Sequence, residues 1–232
     1  MRIWDINPGY LNRQSLLGEH RELHGIVSII RNNKKGYSRH PETIRWIGYG
    51  WAIKQRHNIL AAEMNIRGYI DRSPVLLRSN KYQWPAVFID SPGSQLSIIS
   101  KKYKALESGR IPIPKNAQQL WAQHKYSVMA RDISSYKSIG KWVASKCSLK
   151  FFDELSLELI SLLRKPPNSK LITNALLHMW GYVSEYSTIE NSNIGSIPTM
   201  ELLNRIQQLT MSYSPQYLIH STALSELGAW NR

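Results

Sequence analysis

Cysteine is almost absent from this chain of 232 residues, with Cys147 standing alone. A single thiol excludes an internal disulfide framework and any zinc site built from several cysteines. Long apolar runs are missing too: no stretch approaches the ~20 residues that span a bilayer. Asp5 and Asn7 interrupt any apolar segment that could act as a signal peptide. No Walker loop, dinucleotide-binding glycine pattern, His-Glu-x-x-His pair or nucleophile elbow occurs. The expectation is a cytoplasmic protein that needs no cofactor and no metal. Acidic residues are scarce as well. Thirty Lys and Arg face 16 Asp and Glu, for a net charge of +14. Residues 1–115 hold 19 basic and 8 acidic side chains, net +11; residues 116–232 hold 11 and 8, net +3. A basic N-terminal half is the footprint of a polyanion partner, most often nucleic acid. No basic amphipathic helix points to a membrane surface instead.

What is present suits a packed helical protein. Hydrophobic residues make up 42% of the chain, enough for a core. Leu16, Leu17, Leu23, Ile26, Val27 and Ile30 repeat at helical spacing. Asn12 is a plausible N-cap, and Pro8-Gly9 before it signals a turn. Gly18 and Gly25 share a face with Glu22 on this helix. Each mid-helix Gly costs about 0.5–1 kcal/mol relative to Ala. Two of them around one carboxylate suit a solvated face with close helix packing, or a ligand that must approach the backbone.

The loop 31–40 carries Arg31, Lys34, Lys35 and Arg39, either as a solvated loop or as a phosphate clamp. Pro41 is placed to open a helix that breaks at Gly48-Tyr49-Gly50. A second helix runs over 51–67 and stops at Gly68. Trp46, Tyr49 and Trp51 are core by spacing, with a lesser role as a wedge beside a displaced base. His57 reads as structural. Residues 72–116 are punctuated by Pro and Gly, with a short element over 97–102 and a second basic cluster at Lys101, Lys102 and Lys104. Helices are expected again over 117–131, 134–146, 150–164, 169–185, 197–211 and 214–226. The predicted fold is all-α: a compact helical domain with an irregular basic connector, residues 1–115, followed by a second helical domain, residues 116–232.

Two separated blocks carry a resemblance. Met1-Arg2-Ile3-Trp4, Pro8-Gly9-Tyr10-Leu11 and Glu19-His20-Arg21-Glu22-Leu23 form the first. Arg56, Leu60, Ala62, Glu63, Arg67, Gly68 and Tyr69 form the second. Together they resemble the pyrimidine-dimer DNA glycosylase family over residues 1 to about 75. The resemblance implies a bifunctional glycosylase and AP lyase acting on double-stranded DNA with damaged bases. It implies that the Met1 amine is the nucleophile and Glu22 the catalytic carboxylate. Arg2, Gln14 and Arg21 match positions that contact DNA in the family. Arg31, Lys34, Lys35 and Arg56 complete the candidate DNA-binding set, and nucleoid association would follow. A phage member of the family carries a further Arg three residues after the carboxylate, where Gly25 stands here.

The chemistry is coherent with those residues. A neutral amine can attack C1′ of the sugar and form a Schiff base. An α-amine has a reference pKa of about 7.7–8.0 against about 10.4 for Lys, which suits it to neutral pH. Arg2 is large, so the initiator Met is expected to remain. The competing class is a non-catalytic nucleic-acid-binding protein. A third reading puts the activity in the C-terminal half. That half resembles the YbgA-like domain, a bacterial family of uncharacterised function, through Leu120, His124-Lys125-Tyr126, Asn174, His178, Gly181-Tyr182 and Tyr217-Leu218. His124 and His178 invite a metal or catalytic reading, but two His with no carboxylate or Cys nearby suit helix packing better.

Overall fold

A computed structural model describes residues 1–145, 149–188 and 191–231. Cys147 and the last residue of the helix expected over 134–146 lie outside the described residues. Among the described residues all regular structure is helical and no strand occurs, as the periodicity predicts. The helices are α1 (Arg13–Asn32), α2 (Pro41–Trp46), α3 (Gly50–Ile66), α4 (Pro92–Lys102), α5 (Ala117–Met129), α6 (Ile133–Ser145), α7 (Leu149–Leu163), α8 (Ser169–Trp180), α9 (Thr199–Tyr213), α10 (Gln216–Ile219) and α11 (Ala223–Glu226).

Local chemistry sets most of the boundaries. The Asn12 side chain accepts from the Ser15 N–H at 2.9 Å and caps α1. Asn33, left-handed at φ 48°, ends it. Pro41 opens α2, and Gly68 (φ 82°) follows the end of α3, where a side chain would strain the backbone. The element expected over 97–102 begins earlier, at Pro92. Pro92 and Gly93 act as the first turn behind the Ser91 cap, where Pro is favoured rather than disruptive. The helix expected over 214–226 is two short helices. Between them the Thr222 N–H donates to Gln123 O at 2.9 Å, docking the chain on α5.

The N-terminal strap, residues 1–7, is held from several directions. Ile3, Trp4 and Ile6 are buried, each such side chain contributing about 1.5–3 kcal/mol. The Asp5 carboxylate takes Arg45 of α2, Arg164 beyond α7 at 2.8 Å, and Gln95 of α4 at 2.9 Å. Segment 109–111 crosses the strap's end. Ile111 N–H donates to Gly9 O at 2.9 Å, and a Cβ on Gly109 would stand 2.5 Å from the Tyr10 backbone.

One apolar cluster runs from Ile3 to Leu162 and so packs across residue 115; a second gathers Tyr126 and α8 to α11. Buried ion pairs link the same parts. Glu63 of α3 takes Arg67 and Arg110, each at 2.7 Å, and Arg110 also donates to the carbonyls of Ile219 and Ser221. Burial alone would raise the Glu63 carboxyl, but the two guanidiniums hold it at about 2.

Candidate active site

The strap lies alongside α1 and runs antiparallel to it. Arg2 N–H donates to Glu22 Oε2 at 2.5 Å, and Trp4 N–H donates to Glu19 Oε1 at 3.2 Å. The spacings match: two extended residues advance about 6.6 Å, and helix positions three apart stand about 5–6 Å apart at Cβ. Carried one residue further, this register sets Met1 beside the next turn of α1. A Cβ on Gly25 would lie 4.0 Å from Met1 Sδ. Among the described residues, nothing beyond its own stretch of helix lies within 4 Å of a Cβ on Gly18. On one side of the half-buried Glu22, Gly25 thus accommodates Met1; on the other, Gly18 leaves open space.

Glu19 is the residue that the sequence reading passed over. It sits on the inward face of α1 with Leu16, Leu23 and Ile26, fully enclosed. Arg56 of α3 grips it at 2.7 and 2.8 Å and donates a third bond to Ile6 O at 2.8 Å. Burial raises the Glu19 carboxyl, and Arg56 pulls against it. Arg56 was expected at the DNA. It is instead 4% exposed, with its guanidinium directed inward, where it supports the strap. The matching separation of Glu19 from Glu22 and the Arg at the head of the second block were the available signals.

The other expected residues lie at or near the surface. Gln14, Arg21, Arg31, Lys34 and Lys35 are exposed, together with Arg13 and Arg39. Lys34 Nζ donates to Ser28 Oγ at 2.8 Å. Lys102, from the second basic cluster, reaches Ser15 on the first turn of α1 at 3.1 Å. The Arg2 guanidinium is engaged by Asp90 at 2.7 Å and lies 4.1 Å over the Trp4 ring. Trp46 is core, its indole N–H donating to Glu42 at 2.9 Å. The exposed aromatic near the basic loop is Tyr37, 71% exposed and left-handed at φ 56°.

A second cluster lies on another face of α1. His20 and His24, one turn apart, meet His57 of α3 and Asp71 beyond it, with one donor atom from each lying within 4.8 Å of the others. Burial lowers His57 to about 4 despite Asp71, and burial also lowers His24. Burial would raise Asp71, but Ser73 and the two imidazoles keep it low. The His-x3-His spacing was legible in the sequence; its meeting with residues 57 and 71 was not.

In the C-terminal half the motif residues converge without forming a metal cluster among the described residues. Lys125 Nζ stands 4.8 Å over Tyr126 and 4.7 Å over Tyr217, and Tyr217 stacks on Tyr182 at 5.1 Å. His124 is buried, with Nδ1 2.8 Å from Leu120 O, and burial lowers it to about 4. His178 is exposed at the end of α8. No helix among the described residues is long and apolar enough to cross a membrane.

Comparison with known proteins gives two family matches. Residues 1–76 match the model of the family described as pyrimidine dimer DNA glycosylase. Residues 125–227 match the family described as protein of unknown function (DUF1722). No curated protein and no solved structure matches the chain. The first match covers the strap, Glu22, Glu19 and Arg56, and the second covers the Lys125 and tyrosine cluster. The chain thus joins a segment similar to the pyrimidine dimer DNA glycosylase family to a segment similar to the DUF1722 family.

Proposed function

We propose that the protein excises damaged pyrimidines, photodimers among them, from duplex DNA and then cleaves the strand through a Schiff base on the Met1 amine. The reading rests on one contact above all: the Arg2 N–H on Glu22, which brings the start of the chain to this carboxylate. The amine attacks C1′, the C1′–N bond breaks, and the base leaves with the electron pair and takes up a proton. The C1′–O4′ bond then opens, O4′ keeping the electron pair and taking up a proton, while the nitrogen lone pair completes a protonated Schiff base. Removal of a C2′ proton by Glu22 then expels the 3′ phosphate. Glu22 also stabilises the cationic sugar before elimination.

The target base lies inside a duplex, so its nucleotide must leave the stack. The open space beside Gly18 suits the close approach of a backbone or sugar, while Gly25 leaves room for Met1. Gln14, Arg21, Arg31, Lys34 and Lys35 are assigned to the phosphates, with Arg13, Arg39 and Lys102 beside them. Tyr37 is the side chain best exposed to enter or stack on the duplex. Arg2 orients the strap through Asp90 and can turn to a phosphate when DNA is present. Arg56 acts through Glu19. Residues 1–115 are assigned the chemistry, and residues 116–232 pack against them through the shared apolar cluster and the Arg110 and Arg164 contacts.

Borohydride trapping on a panel of lesion-bearing duplexes tests the reading. The wild-type protein is expected to become covalently joined to DNA at Met1, and Glu22→Gln to lose both base release and trapping. Binding should not weaken in that variant, since a negative charge near the phosphates is removed. An adduct on an internal Lys would refute the Met1 assignment. No adduct on any lesion, with binding intact, would leave a non-catalytic DNA-binding protein.

A further inference from the structure

We propose that His20, His24, His57 and Asp71 form a site for one divalent transition metal of borderline softness, Zn2+ being the type, that clasps α1, α3 and the segment after α3. The glycosylase reading uses none of these side chains. Their donor atoms already converge. Asp71 Oδ1 is 3.3 Å from His20 Nε2, and Asp71 Oδ2 is 3.3 Å from His57 Nε2. Bonds of 2.0–2.1 Å in a tetrahedron set ligand atoms about 3.3 Å apart. A cluster spanning at most 4.8 Å therefore closes on an ion with small side-chain rotations.

A second observation points to the same ligand. His57 is 3% exposed; the Asn58 side chain and Asp71 Oδ2 stand beside its ring, yet no contact of either ring nitrogen has good hydrogen-bond geometry, and the same holds for His20 Nε2 against Asp71 Oδ1. Buried imidazole nitrogens are normally satisfied. The three rings form a triangle with centroids 4.7, 5.2 and 4.9 Å apart. As cations they would repel one another; as neutral rings each has one lone pair to offer beside the carboxylate, and Ser73 Oγ stands 3.1 Å from His24 Nε2.

The donor set selects the metal. Three imidazoles and one carboxylate suit Zn2+ and its neighbours, whereas Mg2+ and Ca2+ take oxygen donors alone. Ser73 steadies the carboxylate, its Oγ at 2.6 Å and its N–H at 3.0 Å from Asp71 Oδ1. Four protein donors fill a tetrahedron, which is the pattern of a structural ion rather than a reacting one. At about 100° per residue, His20 and His24 lie about 160° around α1 from Glu22. The ion therefore acts by fixing how α1 is rotated against α3, and with it where Glu22 stands.

The test uses the full chain, stripped with a chelator and titrated with Zn2+ against a chromophoric competitor, without DNA. One equivalent is expected to bind and to raise Tm, and Co2+ in its place should show the visible bands of a tetrahedral site. His20→Gln and Asp71→Asn remove a donor. Ser73→Ala removes no donor, only the hydroxyl that contacts Asp71 and His24, and should weaken binding about 10–100-fold, with the donor losses larger. Glu22→Gln and His178→Gln should bind as wild type. Failure to bind one equivalent, or unchanged affinity in both Asp71→Asn and Ser73→Ala, would overturn the proposal. Those two changes lie in the irregular segment after α3, so the test does not depend on whether His20→Gln folds.

Discussion

Replacing Arg56 by Met separates two accounts of one side chain. If Arg56 is a phosphate contact, the variant folds as wild type and the slope of log K against log salt becomes shallower by about 0.9. The structure predicts something else. The Glu19 and Arg56 side chains are 0% and 4% exposed. Taking away one partner of such a pair typically costs about 3–5 kcal/mol. The orphaned Glu19 can take up a proton, which places the loss toward the lower end. For a chain of this length each kcal/mol moves Tm by roughly 2–4 °C, so a fall of about 6–12 °C is expected. Glu19→Leu with Arg56→Met should recover only part of it. Trp4 N–H and Ile6 O lose their partners in the double variant, at about 1–3 kcal/mol each. Trapping by borohydride should fall with the strap's register, since about 1 Å of misplacement can cost ~100-fold. Thermal unfolding, a salt series and trapping on the same samples make the comparison. A Tm within about 1 °C of wild type, with a shallower salt slope, would refute the internal role.

Four further outcomes are expected at named residues. Lys34→Ala with Lys35→Ala, both exposed, should leave Tm unchanged and flatten the salt slope by up to about 1.8, measured by fluorescence anisotropy. Burial holds His124 at about 4 in the folded state, below the ordinary 6.5. Its neutral form is therefore stable above pH 6.5, and stability drains away as pH falls from 6.5 toward 4, by roughly 3 kcal/mol in all. Urea unfolding of His124→Gln should show a correspondingly flatter dependence in that window. Glu63 works lower down: its contribution is complete above about 4.5 and is lost as pH falls through about 2. One residue added before Met1 turns the amine into an amide and should abolish trapping, with Tm unaltered; full trapping by that protein would exclude the amine.

Much of this molecule was readable in one dimension because its signals are local. Asn12, Pro41, Gly48 and Gly68 act on their own turn of chain through caps, fixed φ or positive φ, so the ends of α1, α2 and α3 follow from neighbours a few residues away. Pro92 misled for the same reason: a breaker and a first-turn proline are the same residue, and only the Ser91 cap behind it decides. The strap and Glu22 were matched as a pattern, but their contact is a tertiary fact, made across 20 positions once Ile3, Trp4 and Ile6 are buried. Whether Arg56 faces DNA or Glu19 depends on how α3 docks on α1, and a charged residue in a basic chain carries no mark of which it will be. The meeting of His20 and His24 with His57 and Asp71 is of this kind too, as is that of Asp5 with Arg164 across 159 positions. Periodicity specifies which side of a helix turns inward; what it meets there is decided by the packing of separate elements, which no short stretch of sequence encodes.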